Sequence, residues 1–239
     1  MLPSKADIKL IRSLSEKKFR ENHSLFVVEG DKLVQEAIDS DYKVEKLFYT
    51  KDIGEELMSK ITLLSSPSPA LALIKIPEQK RAIHIDSNEL YIALDAIRDP
   101  GNMGTIIRLA DWFGISQIFA SEDCVDIYNP KVIQATMGSI FRVDVQYTNL
   151  KKLLVYAAKT DRIEILGAYL EGENIYRREL PKGAIVVMGS ESQGISRELA
   201  PYINNKIHIP SFAAEGYGSE SLNVATATAI ICSEFRRRY

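Results

Sequence analysis

One stretch constrains the fold of this chain more than any other. An apolar run at residues 91–94 is followed by the loop and helix of residues 99–114 and by a second apolar run at residues 115–120. Pro100 and Gly101 break the first run, and apolar residues then recur at helical spacing. The stretch therefore predicts a strand, a tight loop, a helix and a second strand.

The same alternation continues to the end of the sequence. Strand and helix in regular succession indicate a mostly parallel sheet with helices on both faces, and such sheets bind ligands at the carboxyl ends of their strands. The predicted strands are residues 91–95, 116–119, 143–147, 163–169, 184–189 and 206–209, and the predicted helices are residues 105–113, 130–139, 150–160, 196–202 and 222–237.

The first third of the chain predicts a smaller α/β unit. Residues 1–20 suit a helical segment with basic residues outside, and strands are expected at residues 24–30, 44–49 and 61–64. Helices are expected around Leu33 to Ile38, at residues 53–59 and at residues 69–74. A polar stretch containing Pro77 follows, which places the domain boundary near Asp86. The expected domains are residues 1–86 and 87–239.

Composition narrows the class of protein. A chain of 239 residues with 46% apolar and 26% charged residues suits one large or two small globular domains. It has no apolar run of membrane-spanning length and no signal-peptide pattern at its start, so we expect a cytoplasmic protein without membrane contact. Cys124 and Cys232 have no pairing or ligand spacing and are expected to be inert. The three histidines are scattered, so no metal is expected.

Two residues of the first loop and helix are candidates for function. Arg108 lies roughly opposite the apolar stripe of Ile106, Leu109, Ala110 and Phe113, so it faces solvent or a site. Asn102 is the expected N-terminal cap of the helix. A solvated surface arginine is the commoner role, but both residues follow the carboxyl end of a strand, where ligands bind.

Two further loops follow predicted strands. In the segment AIVVMGSESQGIS, Glu191 lies between Gly189 and Gly194, which suggests that something packs closely against the loop. In IPSFAAEGYGSESLN, Ser221 is the expected cap of a final helix rich in small residues. Taken singly, each feature has an ordinary structural explanation: a surface glutamate, and a helix face that permits close packing.

Taken together, DPGNMGTIIRLADWFG, VVMGSESQGIS and IPSFAAEGYGSESLNVATATA resemble the SpoU/TrmH branch of the SPOUT RNA methyltransferases. The segment KKFRENHSLFVVEGDKLVQEA is similar to the small RNA substrate-binding domain that often precedes the catalytic domain. The resemblance implies methyl transfer from S-adenosylmethionine to a ribose 2′-OH of structured RNA, with ribosomal RNA favoured over transfer RNA. It also implies a C-terminal deep trefoil knot and a homodimer that shares its active site.

The resemblance also implies roles for individual residues. The family's functional positions correspond to Asn102, Arg108, Glu191, Ser221 and Asn223, all of which are present. The cofactor would be held by the segments around Gly189, Ile209 and Leu222. The chain departs from the family at Ser211, where a methionine is usual, and residues 212–220 form a longer, glycine-rich segment.

Charge along the chain suggests where RNA could bind. Between Lys5 and Arg20 there are six cations and two acids, although the whole chain has a net charge of −2. Charge alone favours a solvated helix face here and a solubilising helix end at residues 236–238. With the resemblance, Arg12, Lys17, Lys18 and Arg20 are expected to contact RNA phosphates.

Two other functions compete with this one. A nucleotide-dependent oxidoreductase needs G-x-G-x-x-G after its first strand, whereas Gly101 and Gly104 are three residues apart and form no such motif. A non-catalytic RNA-binding protein of the same fold is disfavoured because every motif position is present. Within the methyltransferases, a transfer RNA substrate is the alternative to ribosomal RNA.

Overall fold

The computed structural model describes residues 2–78, 83–160, 163–213 and 220–238. The chain forms two compact units. The first unit consists of Met1–Gln79 and Asp126–Arg142, and the second of Lys80–Val125 and Val143–Tyr239. The expected boundary near Asp86 lies a few residues beyond the first segment. The sequence did not indicate that a later segment of the chain returns to the first unit.

The elements follow one another in a regular order. The helices are α1 (Lys5–Ser13), α2 (Lys17–His23), α3 (Asp31–Ile38), α4 (Thr50–Ile53), α5 (Glu55–Ile61), α6 (Pro100–Trp112), α7 (Pro130–Thr136), α8 (Leu150–Thr160) and α9 (Val224–Arg236). The strands are β1 (Leu25–Glu29), β2 (Val44–Tyr49), β3 (Ala70–Lys75), β4 (Leu90–Leu94), β5 (Gln117–Ala120), β6 (Asp144–Tyr147), β7 (Glu164–Asn174), β8 (Ala184–Met188) and β9 (Asn205–His208). Short 3₁₀ turns occupy Ser139–Phe141 and Ala200–Tyr202.

The first unit contains an antiparallel sheet of three strands in the order β1-β3-β2. The helix predicted at residues 69–74 is wrong, because this segment is β3, the central strand. Its alanines and leucines favour a helix locally, but pairing on both edges and burial outweigh that preference. The strand predicted at residues 61–64 is also wrong: Ile61 ends α5, and the backbone N–H of Leu63 donates to the Glu29 carboxylate at 2.8 Å instead of to a strand.

Residues 126–142 complete the first unit. Tyr128 packs on Phe26 with ring centroids 4.7 Å apart, and Gln134 donates to the backbone oxygen of Glu29 at 2.9 Å. Arg142 forms an ion pair with Glu36. The segment therefore contributes apolar contacts, a hydrogen bond and an ion pair to the first unit.

The second unit contains a parallel sheet of six strands in the order β6-β5-β4-β8-β7-β9. The predicted α/β fold with a mostly parallel sheet is confirmed. Every residue of the central strands β4 and β8 is buried, as expected for a sheet covered on both faces. The carboxyl ends of these strands point to one edge of the sheet, where the motif loops begin.

Two local departures shape that edge. Strand β7 pairs with β9 up to Ala168 and again from Glu173, so the intervening residues leave the ladder. The helix predicted at residues 196–202 is only the 3₁₀ turn Ala200–Tyr202. Ser196 donates its N–H to Asp95, and Pro201 has no N–H for a helical hydrogen bond, so a longer helix does not form.

The structure also bears on membrane spans, metal sites and cysteine reactivity. Within the described ranges, no helix is long and apolar enough to cross a membrane, and no cluster of metal-binding side chains is found. Both cysteines are free and buried, and burial raises the pKa of Cys124 and that of Cys232, the latter to about 12. The thiols therefore stay protonated, in agreement with an inert role. Of the glycine-rich segment 212–220, residues 214–219 lie outside the described ranges.

Candidate active site

A hydrogen-bonded cluster joins the three motif loops of the second unit. The side-chain amide nitrogen of Asn223 donates to Asn102 Oδ1 at 2.8 Å and to Glu191 Oε1 at 2.6 Å. Glu191 Oε1 also accepts from the backbone N–H of Val224 at 3.3 Å. Three of the five predicted catalytic residues are thereby brought together, and we call Asn102, Glu191 and Asn223 the amide cluster.

Asn223 has two functions in this cluster. Its Oδ1 accepts from the N–H groups of Ala225 and Thr226 at 3.0 and 3.2 Å, so Asn223 caps α9. The prediction that Ser221 is the cap is wrong, because the helix begins at Val224 and the side chain of Asn223 accepts from its first turn. Only an amide can accept from the helix while it donates to two other side chains.

Asn102 is free to join the cluster because another residue caps its helix. Asp99 is the N-cap of α6, and its Oδ1 accepts from the N–H of Asn102 at 2.8 Å. The prediction that Asn102 is the cap is therefore wrong: Pro100 occupies the first turn, and Asn102 already has helical backbone. Its side chain accepts from Asn223 instead.

Arg108 is exposed on α6, as its place opposite the apolar stripe predicts. The predicted apolar stripe is only partly buried: Ile106 and Ala110 are buried, whereas Leu109 is half-buried. In the described part of the chain, the guanidinium of Arg108 forms no hydrogen bond or ion pair, so it is not joined to the amide cluster. One turn further along, Trp112 is 83% exposed.

Two glycines shape the loop that presents Glu191. Ser190 and Gly194 exchange backbone hydrogen bonds of 3.2 and 2.8 Å, which closes the loop tightly. A Cβ atom on Gly189 would lie 2.1 Å from the carbonyl carbon of Gly194, and Gly194 has a φ of +66°. Neither position accommodates a larger residue without rearrangement, which explains the glycines on both sides of Glu191.

Asp95 fixes the far end of the same loop and was missed by the sequence reasoning. It follows β4 directly, is 7% exposed, and accepts from the N–H of Ser196 at 2.7 Å. A carboxylate placed directly after a fully apolar strand was the available signal. Asp95 therefore anchors the segment that follows Gly194.

A cleft of about 1150 Å³ opens beside the amide cluster. The predicted cofactor residues Gly189, Ile209 and Leu222 all line it, as do Glu191 and Ser221. Thus the second and third motif loops border one cavity large enough for a small-molecule ligand.

The chemistry of this cleft suits a ligand with apolar and polar parts. Met188, Ile207 and Ile231 provide apolar lining. Tyr169 and His208 also line the cleft, and among the described residues the phenol oxygen and the Nδ1 atom have no partner although both atoms are buried. Burial, with the charge of Asp95, raises the pKa of Tyr169, so its phenol stays neutral and can donate a hydrogen bond.

The predicted RNA contacts in the first unit differ in accessibility. Arg12, Lys17 and Lys18 are exposed, and Lys17 lies 3.8 Å from Glu21. The prediction for Arg20 is wrong, since its side chain is 3% exposed and its donors are used internally. Its Nε and Nη2 donate to Asp126 at 2.8 and 2.5 Å, and its Nη1 donates to the backbone oxygens of residues 14 and 15.

The basic residues at the end of α9 are also used internally. Arg236 donates to the backbone oxygens of Phe113 and Gly114 at 2.7 and 3.2 Å. Arg237 and Arg238 donate to Glu234, and they hold the pKa of its carboxyl at about 2. These bonds give the arginines a structural role, which differs from the solubilising role that charge alone favoured.

Comparison with known proteins agrees with the fold and the motif loops. The model of the SpoU rRNA Methylase family matches residues 89–233, and that of the MRM3-like substrate binding domain matches residues 5–80. The chain belongs to the SpoU rRNA methylase family.

Individual relatives match over most of the chain. The 23S rRNA (guanosine(2553)-2′-O)-methyltransferase RlmP of Bacillus subtilis is 27% identical, with 94% of each chain covered. A solved TrmH-family protein from Porphyromonas gingivalis has a TM-score of 0.87 at 37% identity, with 99% of each chain covered. An AdoMet-bound rRNA methyltransferase from Sinorhizobium meliloti has a TM-score of 0.88 at 30% identity, covering 100% of this chain and 98% of that one.

Proposed function

We propose that this chain transfers a methyl group from S-adenosylmethionine to a ribose 2′-OH of large-subunit ribosomal RNA. The observation that carries the proposal is the amide cluster beside the cleft, where residues of all three motif loops meet. The name of the Bacillus subtilis relative, which aligns with nearly the whole chain, supports the substrate class.

The cleft suits the cofactor. Its apolar lining can take an adenine ring, and Tyr169 and His208 offer buried polar atoms without partners in the described chain. Residues 209–211 and Leu222 line the cleft and belong to no helix or strand, so no helix or strand ladder takes up their backbone groups. S-adenosylmethionine supplies an electrophilic methyl group, and Gly189, Ile209 and Leu222 would hold it.

The remaining motif residues would position the ribose and stabilise charge. A guanidinium stays protonated under ordinary conditions, so Arg108 serves better as an electrostatic partner of the 2′-oxygen than as a base. Asn102 orients the ribose or Arg108, and Glu191 holds the loops. Asn223 caps α9 and keeps Asn102 and Glu191 in place, with Ser221 fixing the segment just before it.

The active site is completed by a second copy of the chain, in this proposal. Arg108 and Trp112 are one helical turn apart on the exposed face of α6, and Arg108 has no bond to the amide cluster. A homodimer would cover the tryptophan and bring the arginine of one copy to the cleft of the other. Light scattering of the purified protein measures its oligomeric state. The trefoil knot implied by the resemblance belongs to the same proposal.

The two units would have different roles, RNA binding and methyl transfer. The first unit, which matches the substrate-binding model, contacts RNA phosphates through Arg12, Lys17 and Lys18, and the second unit carries the chemistry. Arg20 has no part in this contact, because it is buried in an ion pair.

Replacing Arg108 tests the proposal directly. Arg108→Ala should lower methyl transfer to unmodified 23S ribosomal RNA by about 100-fold or more, the usual cost of losing one group that stabilises developing charge. Calorimetry should find cofactor affinity unchanged within about threefold, since charge stabilisation acts in the transition state.

Arg177→Ala is the matched control, because Arg177 is an exposed arginine of the same unit that does not line the cleft. The assigned role is wrong if cofactor affinity collapses together with activity. If the unchanged protein methylates no ribose of this RNA, the substrate itself is wrong.

A further inference from the structure

The first unit contains a second cavity, of about 450 Å³, far from any of the motif loops in sequence. Its volume falls in the range of about 300–1000 Å³ that is usual for small-molecule sites. It lies where the end of α5 and the segment before β3 meet α1 and the residues after it. Its lining consists of Arg12, Ser15, Ser59, Thr62, Leu63, Leu64, Ser65 and Pro67.

Among the described residues that line this cavity, Arg12 alone is charged. Its guanidinium is exposed and, within the described part of the chain, makes one long hydrogen bond, 3.5 Å, to the backbone oxygen of Lys60. The nearby Glu56 is already paired with Lys60. The cavity therefore presents an uncompensated positive charge, which favours an anionic ligand.

Hydroxyl groups surround this charge. Ser15 donates to the backbone oxygen of Arg12 at 2.9 Å, and Ser59 donates to that of Glu55 at 2.8 Å. Each hydroxyl uses its only proton in these bonds, so its oxygen keeps lone pairs for a ligand donor. Leu63, Leu64 and Pro67 add an apolar surface between the polar groups.

A buried carboxylate holds the wall of this cavity in place. Glu29 is 3% exposed and accepts from the Thr62 hydroxyl at 2.5 Å and from the N–H of Leu63 at 2.8 Å. These bonds fix residues 62–63 although they belong to no helix or strand. The cavity is therefore pre-formed, which lowers the entropic cost of binding.

We propose that this cavity binds one unpaired nucleotide of the RNA substrate. Arg12 contacts the phosphate, the base packs on Leu63, Leu64 and Pro67, and amino or hydroxyl donors of the nucleoside bond to Ser15 and Ser59. Only an unpaired nucleotide exposes both its base face and its edges to such a site. The proposal rests on the proposed function in one respect, that the substrate is RNA.

Nuclear magnetic resonance of the full chain with four homopolymeric RNA decamers tests the site without any methylation. At least one decamer should cause saturable shifts of the backbone amides of residues 59–66. Arg12→Gln should weaken this binding about tenfold, the value of one charge-assisted contact. Ser65→Phe, which fills the cavity and keeps its charge, should weaken it by at least as much.

Lys75→Gln is the matched control, because it removes one exposed charge at the opposite end of β3 and should change affinity less than twofold. If Arg12→Gln and Lys75→Gln weaken RNA binding equally, the effect is non-specific electrostatic attraction, and the proposed site is wrong. Shifts caused equally by inorganic phosphate alone would overturn nucleoside recognition. Failure of methylation with these shifts intact would refute the proposed function and leave the site standing.

Discussion

Two polar centres of this protein, an ion pair in the first unit and the amide cluster in the second, serve opposite purposes. In the first unit, Arg20 and Asp126 form an ion pair whose side chains are 3% and 13% exposed, and the arginine donates to two backbone oxygens as well. In the second unit, the amide cluster forms its side-chain bonds at the surface, beside a cleft. A buried centre in which every guanidinium nitrogen is bonded within the fold serves stability, whereas an exposed centre held in fixed geometry can serve a ligand.

The largest effect should come from breaking the buried centre. Arg20→Ala leaves Asp126 Oδ2 and two backbone oxygens without the donor that Arg20 supplies, which should cost about 3–5 kcal/mol of stability. Amide hydrogen exchange of β1 measures this loss within the first unit. Lys18→Ala, an exposed neighbour, should change the same exchange by less than about 0.5 kcal/mol. Unchanged exchange in Arg20→Ala, combined with weaker RNA binding, would restore Arg20 as an RNA contact.

A smaller effect is expected from the exposed centre, and on a different quantity. Glu191→Ala removes the acceptor for Asn223 and Val224 and should lower methyl transfer about tenfold, with the stability of the exposed loop changed by less than about 1 kcal/mol. Glu191→Gln keeps an oxygen that can accept both bonds, so it should recover most of the activity. If Glu191→Gln is as impaired as Glu191→Ala, the charge acts on the substrate and not on the loop.

The smallest expected effect concerns the ion pairs of Glu234, which are neither fully buried nor fully exposed. Glu234 is buried, but its partner Arg237 is mostly exposed. The pKa of Glu234 is lowered to about 2, so its ion pairs stabilise the fold above its ordinary pKa and this contribution is lost as the pH falls from about 5 towards 2. Chemical unfolding at several pH values should show a difference between the unchanged protein and Glu234→Gln, about 1 kcal/mol or less, that shrinks over this interval. A constant difference would assign the effect to packing alone.

The parallel sheet could be predicted from the sequence because strands and helices alternate regularly through the second unit. β2 was predicted to the residue and α8 likewise, since both lie between clear turn signals. β3 could not be predicted, because its alanines and leucines suit a helix and only pairing with β1 and β2 makes them a strand. The strand predicted at residues 61–64 failed for a similar reason. There the N–H of Leu63 bonds to Glu29, 34 residues away, and local sequence does not indicate this contact.

For the candidate site, the sequence selected three residues that the fold brings together, but it did not indicate how they are bonded. The motif resemblance selected Asn102, Glu191 and Asn223, yet both predicted helix caps were wrong. A side chain that caps its own helix and one that bridges to another loop have the same local sequence, and only the bonds across the fold distinguish them. Asp95 has no motif at all, and its role appears only from its bond to Ser196.

The two-segment construction of the first unit also bears on the order in which the protein can be made. When a ribosome has synthesised only about the first eighty residues, Asp126 and Tyr128 do not yet exist. Arg20 then lacks its ion-pair partner, and Phe26 lacks the ring that packs on it. The nascent first unit stays unfinished until residues 126–142 have left the exit tunnel, by which time the residues of β4 and β5 have emerged too. Co-translational folding of this protein is thus interleaved, with neither unit completed before the other has begun.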